Sequence, residues 1–424
     1  MKSKLPHHAI LSTLFVMSSL GFAQQTDNQE FLVAPKCFIN NNSFTHQELA
    51  YNQQKDLVLF AVERNYWWNQ LEGLKQDRSN VCGKFVNVNS DLNEFLDAST
   101  FSRAKQTTSS IDFDSFLQSF VADETESYFA KPTSLLSLED SDEKIALIEK
   151  LFSSVQKDRV ANSLNEFTSL FNRGANTQTG IQAAEKLKTW MEDLRTANGL
   201  TEEQFSVELI PTGQYRQPSV VAVLGKNLPG EALVVSAHLD TLGGSRMPGA
   251  DDNASGSMVV LEAARVILES KQTFNRPVYF MWYAAEEMGL VGSKVVVKDA
   301  KTKGLKVDSV FHMDIVGYRP EGKKDDPTFW FLRDNVNKDF TDYLAGLTTK
   351  YVKVPVDFTR CGYACSDHAS WTKAGYVSAA ALSTSFSDLN PNLHTAEDSV
   401  DTVSVDGLVN FTKLSLAYVV DKAV

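Results

Sequence analysis

His238-Leu239-Asp240, Asp251-Asp252, Glu286-Glu287, Asp314 and His394 are the residues of this chain whose types could assemble a hydrolytic metal pair. Zinc is held by neutral imidazole and carboxylate, and two ions about 3.5–4 Å apart can share a bridging carboxylate and a water. Two histidines and three carboxylates suffice, and their charge leaves the pair of ions net positive. A further carboxylate, off the metals, must then take a proton from the water and pass it to the leaving amine. The chain supplies His238, Asp252, Glu287, Asp314 and His394 as ligands and Glu286 as the base. Asp240 stands two residues beyond His238, where it can orient the imidazole through its other nitrogen. Singly these signals are weak, since a His after a strand is usually a hydrogen-bonded edge residue and adjacent glutamates are usually solvated. Glu286-Glu287, however, follow the apolar run Met281-Trp282-Tyr283-Ala284-Ala285. A carboxylate led into an interior needs a cation or a hydrogen-bonding partner.

The elements that must position these residues alternate. Strand-like runs cover Ser219–Leu224, Ala232–Ala237, Val278–Ala284, Ser309–Asp314 and Tyr376–Leu382. Helical patterns cover Ile145–Phe152, Ile181–Leu194 and Ala254–Leu268. This is the pattern of an α/β domain over residues 133–424, with a mixed, mainly parallel central sheet flanked by helices. Ligands in such sheets bind beyond the carboxyl ends of the strands, which is where the candidate residues fall. Residues 24–132 read as a small helical unit, with apolar residues at helical spacing through Leu49–Leu71. It carries no catalytic cluster, and a polar, proline-containing stretch at Ala130-Lys131-Pro132-Thr133 follows it. It is either an attached accessory domain or a propeptide.

The 424 residues carry a formal charge of −12, which argues against nucleic acid or an anionic membrane as partner. Lys2 and Lys4, the apolar stretch Ala9–Phe22 and the small residues of Gly21-Phe22-Ala23 form a signal-peptide pattern over residues 1–23. The expectation is an exported protein, extracellular or periplasmic, and no later stretch is long and apolar enough to span a bilayer. Cys37, Cys82, Cys361 and Cys365 allow three pairings. The Cys361/Cys365 spacing also suits half a zinc site, but an oxidising compartment favours disulfides. Pairing Cys361 with Cys365 leaves Cys37 with Cys82, the arrangement that permits release of the N-terminal region, whereas crossed pairings tether it.

His238-Leu239-Asp240, the segment Pro248–Gly256, Tyr283–Leu290, Met313-Asp314, Cys361–Trp371 and Leu393-His394-Thr395 together resemble the signature of secreted bacterial leucyl aminopeptidases, co-catalytic di-zinc exopeptidases. The resemblance runs from about Leu135 to the C-terminus. It implies two zinc ions, one on His238 and Asp314, the other on Glu287 and His394, with Asp252 bridging and a cis peptide at Asp252–Asn253. It also implies the Cys361–Cys365 disulfide, a propeptide acting as intramolecular chaperone and inhibitor, and peptides with a free N-terminus as substrates; a monomer is expected. Ile315, Tyr363, Ala380, Leu382, Phe386, Leu389 and Leu393 would line the pocket for the first side chain. These residues favour Leu, Phe or Met there. Ala380 and Leu389, smaller than their counterparts in the best-known relatives, leave room for Phe or Tyr. His312 reads as structural, and Ser366, Asp367 and His368 as surroundings of the ligands. The alternatives are a carboxypeptidase or aminoacylase of the same clan, the former requiring arginines such as Arg246 or Arg360 near the site, and an inactive binding ectodomain.

Overall fold

The computed structural model describes residues 29–42, 44–64, 66–67, 85–89, 91–92, 112–118, 141–320 and 328–424. The expected leader, the stretch at 130–133 and Cys82 lie outside them. Among the described residues there are two sheets, one of four strands and one of eight.

The large sheet carries the candidate residues. Its strands are β5 (Phe205–Ile210), β6 (Ser219–Leu224), β7 (Ala232–His238), β8 (Val278–Tyr283), β9 (Val307–Met313), β10 (Phe329–Leu332), β11 (Val356–Thr359) and β12 (Ser378–Leu382), in the order β11-β10-β12-β9-β7-β8-β6-β5. The centre is parallel: β7 pairs with β8 and β9, and β9 with β12. The β5, β6 and β10 pairings toward the edges bring in antiparallel neighbours. Every residue of β7, Ala232-Leu-Val-Val-Ser-Ala-His238, is buried. A continuous apolar run is what a strand covered on both faces requires.

Helices supply that cover. On one face lie α2 (Asp142–Ser153), α3 (Lys157–Thr168), α4 (Gln178–Ala197), α5 (Gly256–Ser270), α7 (Lys338–Leu347) and α9 (Val405–Ala423); the core there includes Leu187, Met191, Val260, Ile267, Leu414 and Tyr418. On the other, α6 (Val291–Thr302) and α8 (His368–Lys373) cover Val234, Met281 and Val310 with Val296, Val297 and Trp371. Side chains start these helices at the expected places: Ser141 accepts from the Lys144 N–H, Thr177 from Gly180 and Asn337 from Phe340. The mixed α/β fold read from the sequence is the fold observed. None of the described helices is long and apolar enough to cross a membrane.

The N-terminal region departs from expectation. Rather than a mostly helical unit, it forms the four-stranded sheet β2-β3-β1-β4, with β1 (Gln29–Pro35), β2 (Gln47–Asn52), β3 (Leu57–Glu63) and β4 (Val86–Asn87); α1 (Lys36–Asn41) is short. Leu57 to Val62 is apolar at every position and buried on both faces of the sheet, so its spacing satisfies a helical period without being helical. The turn at 53–56 then folds β3 back on β2, and β1 pairs along the whole of β3.

The C-terminal helix is fixed to the sheet by charge as well as packing. Lys422 lies 2.8 Å and Arg276 3.3 Å from the Asp308 carboxylate, at the start of β9. Burial would raise that carboxyl's pKa, but the Lys422 and Arg276 charges and the Ser309 hydroxyl outweigh it and hold it below the usual range. A depressed carboxylate stabilises the fold above its unfolded pKa of about 3.9, and this contribution is lost as pH falls through the folded value. Asp308→Asn should therefore cost about 1 kcal/mol at pH 7, discounted for partial solvent screening. Thermal unfolding of both proteins should show that difference shrinking at pH 4 and vanishing at lower pH.

Candidate metal centre and active site

Three parallel neighbours deliver the candidate residues to one edge of the sheet. β7 ends in His238, β8 leads through Ala284-Ala285 to Glu286-Glu287, and β9 leads to Asp314. Asp252 comes from the segment between Gly249 and Gly256 that enters α5, and His394 from the loop between β12 and α9. His238 Nε2 lies 3.1 Å from Asp252 Oδ1 and 3.2 Å from Asp314 Oδ1. His394 Nε2 lies 3.0 Å from Asp252 Oδ2 and 3.1 Å from Glu287 Oε1. The five side chains thus form two groups of potential ligands, His238/Asp252/Asp314 and Asp252/Glu287/His394, which share Asp252. One oxygen of Asp252 faces each histidine. Glu286 belongs to neither group, and its Oε2 is 4.0 Å from His238 Nε2.

The surroundings fit a cation. Burial alone would depress the His238 pKa, but the Asp314 and Glu286 charges overcome it and lift the imidazole well above its ordinary value. A cavity that raises a buried imidazole in this way draws in positive charge. Mixed imidazole and carboxylate donors in two sets of three are the donor chemistry of zinc. The residues present therefore fit a metal pair.

Hydrogen bonds fix the loops. The Asp240 carboxylate accepts from the backbone N–H groups of Glu286 and Glu287 at 3.0 and 3.1 Å, with Oδ1 3.4 Å from His238 Nδ1. It therefore faces the imidazole as expected and, beyond that, orients the loop bearing both glutamates. Ser366 Oγ donates to Asp314 Oδ2 at 2.7 Å, and His312 bridges Ser366 and Ser236 at 2.9 and 3.1 Å. Burial pushes His312 down to about 3, so its ring is a neutral spacer in that chain, consistent with a structural residue. Burial likewise lowers His368, to about 4. Asn253 donates to the Met313 carbonyl at 2.9 Å and accepts from the Gly256 N–H at 2.9 Å, joining the start of α5 to the end of β9. The peptide between Asp252 and Asn253 is cis. Ala285, Ile315 and His394 hold positive φ of 53°, 45° and 60°. Non-glycine residues in this region concentrate at functional sites, and each of these is a candidate residue or adjoins one.

Beside Asp314 lies an apolar cluster. β12 runs parallel to β9 on the side away from β7, and Ser383 N–H donates to the Ile315 carbonyl at 3.1 Å, so the ends of the two strands open together. Of the seven residues expected to line a pocket, Ile315, Tyr363, Ala380, Leu382, Phe386 and Leu393 belong to this cluster, with Cys361 and Cys365, and the partly buried Leu389 packs against it. Those two cysteines are bonded to each other, with Cα atoms 6.2 Å apart. Cys37 is also disulfide-bonded.

Residues 219–419 match the model of peptidase family M28. The probable leucine aminopeptidase of Arthroderma otae is 32% identical over 289 residues, covering 66% of this chain and 75% of the relative. The chain belongs to peptidase family M28. Among solved structures similar to this M28 chain, the LapA aminopeptidase of Legionella pneumophila is 36% identical with a TM-score of 0.76, covering 93% of this chain and 98% of its own. LapB of the same organism is 34% identical with a TM-score of 0.77, covering 93% and 99%. Such coverage extends well beyond the region of the large sheet.

Two residues of this M28 site escaped the sequence reading. Arg173 follows α3 in Asn172-Arg173-Gly174 and is completely buried. Its guanidinium donates to the carbonyls of Leu239 at 2.8 Å, Gly249 at 2.8 Å and Pro248, clamping the loop after β7 to the segment before Asp252. Burial lowers it to about 10, against the pull of Asp398, Asp240, Asp252 and Glu287, so it stays charged at neutral pH. Asp398 accepts from the N–H groups of Asp251 and Asp252 at 2.9 and 3.0 Å, anchoring the His394 loop to the segment that carries Asp252. Burial pushes its carboxyl up to about 7. Neither residue carries a spacing signal; a lone arginine in a loop and an acid after a turn look like surface residues. Arg173→Lys keeps the charge but loses the planar fork that reaches three carbonyls. It should lower stability by roughly 2–4 kcal/mol and reduce metal content. Denaturant unfolding and elemental analysis would check both.

Proposed function

We propose that this chain is an exported di-zinc aminopeptidase that removes apolar residues from the N-terminus of peptides. The observation that carries the reading is the division of labour around Asp252. Its two oxygens face two separate histidine-carboxylate groups, while Glu286 stands beside them and outside both. His238 and Asp314 would hold one ion, Glu287 and His394 the other, with Asp252 between them. Bound zinc supplies Lewis-acid polarisation of the scissile carbonyl and lowers the pKa of a water held there.

The protein's own groups do the rest. The Glu286 carboxylate takes a proton as the water oxygen bonds to the carbonyl carbon, then returns it to the amide nitrogen as the C–N bond breaks. The products are a free amino acid and a peptide shortened by one residue. Asp240 keeps Glu286 aimed by holding its N–H and that of Glu287. The apolar cluster from Ile315 to Leu393 would receive the first side chain, and the small side chain of Ala380 within it would leave room for Phe or Tyr as well as Leu and Met. A carboxypeptidase needs an arginine for the substrate's carboxylate. Arg360, a candidate for that, donates to the carbonyl of Arg333 at 3.1 Å. Export rests on the leader pattern at residues 1–23 and on the paired cysteines.

Purified protein should cleave Leu- and Phe-anilides, turn over the Lys compound more slowly, and leave N-acetylated anilides intact. A chelator should abolish activity and added zinc restore it. Cleavage of N-acetylated substrates would favour an aminoacylase, and fastest turnover of the Lys-anilide would refute the apolar pocket. Glu286→Ala should retain metal yet lose a factor of roughly 10² or more in kcat. Asp252→Asn, by contrast, should lower the occupancy of both ions, read by elemental analysis.

A further inference from the structure

The loop that bears Glu286 and Glu287 is gripped from both sides. From the large sheet, Asp240 holds their N–H groups. From the opposite side comes the N-terminal sheet. The Asn87 N–H of β4 donates to the Gly289 carbonyl at 3.1 Å. A Cβ at Gly289, where φ is +92°, would stand 2.2 Å from the Asn87 nitrogen, so the two backbones meet with no room for a side chain. Ala285 and Met288, at either end of the glutamate pair, pack into the same core as Leu32, Phe60, Trp67 and Phe85. Leu290 packs with Phe31, Leu59 and Val88 in a second core on the sheet's other face.

Polar contacts lock this packing. Glu30 of β1 is fully buried and accepts from Asn87 Nδ2 at 2.6 Å, Asn89 Nδ2 at 2.7 Å, Arg64 Nε at 2.9 Å and, from the connection between β5 and β6, Gln214 Nε2 at 2.6 Å. Asp91 lies 3.1 Å from Lys294 and 2.8 Å from Lys373, in α6 and α8. Burial would raise the Asp91 carboxyl, but the two lysines outweigh it and hold it below the carboxylate range. A fully buried carboxylate with four donors, partly buried charge pairs beside it, and cores continuous across the boundary belong to a permanent interface rather than a releasable one. The 93% of this chain covered by LapA and LapB takes in most of this region too.

We propose that the N-terminal sheet is a permanent wall of the active site that positions the Glu286–Glu287 loop through the Glu30–Asn87–Gly289 clasp, not a segment discarded on activation. The proposal rests on the aminopeptidase reading only for its kinetic consequence; the permanence of the interface is read without activity. A specific protease site inserted between Lys131 and Pro132 allows the full chain to be cut once. After cutting, the two pieces should co-elute in one peak on size exclusion, separate on a denaturing gel, and keep the kcat of the uncut protein toward Leu-anilide. An N-terminal piece that elutes alone, leaving a remainder with equal or higher kcat, would overturn the proposal. Glu30→Ala should lower kcat about tenfold with KM changed less than about twofold and metal content unaltered, and Glu30→Gln should recover part of the loss. An unchanged kcat in Glu30→Ala refutes the clasp, and if that variant fails to fold, the cut chain still decides. An inactive uncut protein would count against the aminopeptidase reading, while co-elution continues to test the interface.

Discussion

Several carboxylates confined to one buried edge of a sheet set the terms for the rest of this molecule. Asp252, Glu286, Glu287 and Asp314, all buried, converge on the buried His238 and the partly buried His394, where water screens them little. Such a concentration of like charge is unfavourable unless cations and aligned donors answer it. The strand ends, the entry to α5 and the long loop to α9 are all organised to provide that answer. The upward shift at His238 is the same electrostatic demand expressed on a single residue.

Backbone donors and buried partners do as much as the ligands themselves. Asp240 takes up the N–H groups of the two glutamates, Asp398 those of Asp251 and Asp252, and Asp251 those of Gly317 and Tyr318 at 2.8 and 3.0 Å. Each of these acids turns a loop after one element toward a loop after another, so five chain segments share one geometry. Arg173 performs the complementary task with carbonyls as acceptors. Preorganisation of this kind fixes ligands whose rotamers would otherwise be free.

The placement of the N-terminal sheet extends that logic outward. The loop of Glu286 and Glu287, its inner side held by hydrogen bonds, has an outer side that must also be covered, because Ala285, Met288 and Leu290 are apolar and buried. Two cores separated by one sheet cover it, and the charged residues beneath are enclosed in turn.

By itself the sequence determined the types of the candidate ligands, their order, and their attachment to the ends of apolar strands, because strands buried on both faces must be continuous apolar runs and polar residues can resume only where they stop. Hence His238, Asp252, Glu286, Glu287, Asp314 and His394 were legible, as was the parallel α/β frame beneath them. The run Leu57–Val62 was not, since a uniformly apolar segment has no period to separate strand from helix; only its pairing with Gln29–Pro35 decided it. Arg173, Asp398 and Glu30 were equally silent. The partners that give them their roles lie between 34 and 184 residues away, and the hydrogen bonds to them have a direction only once the chain is folded.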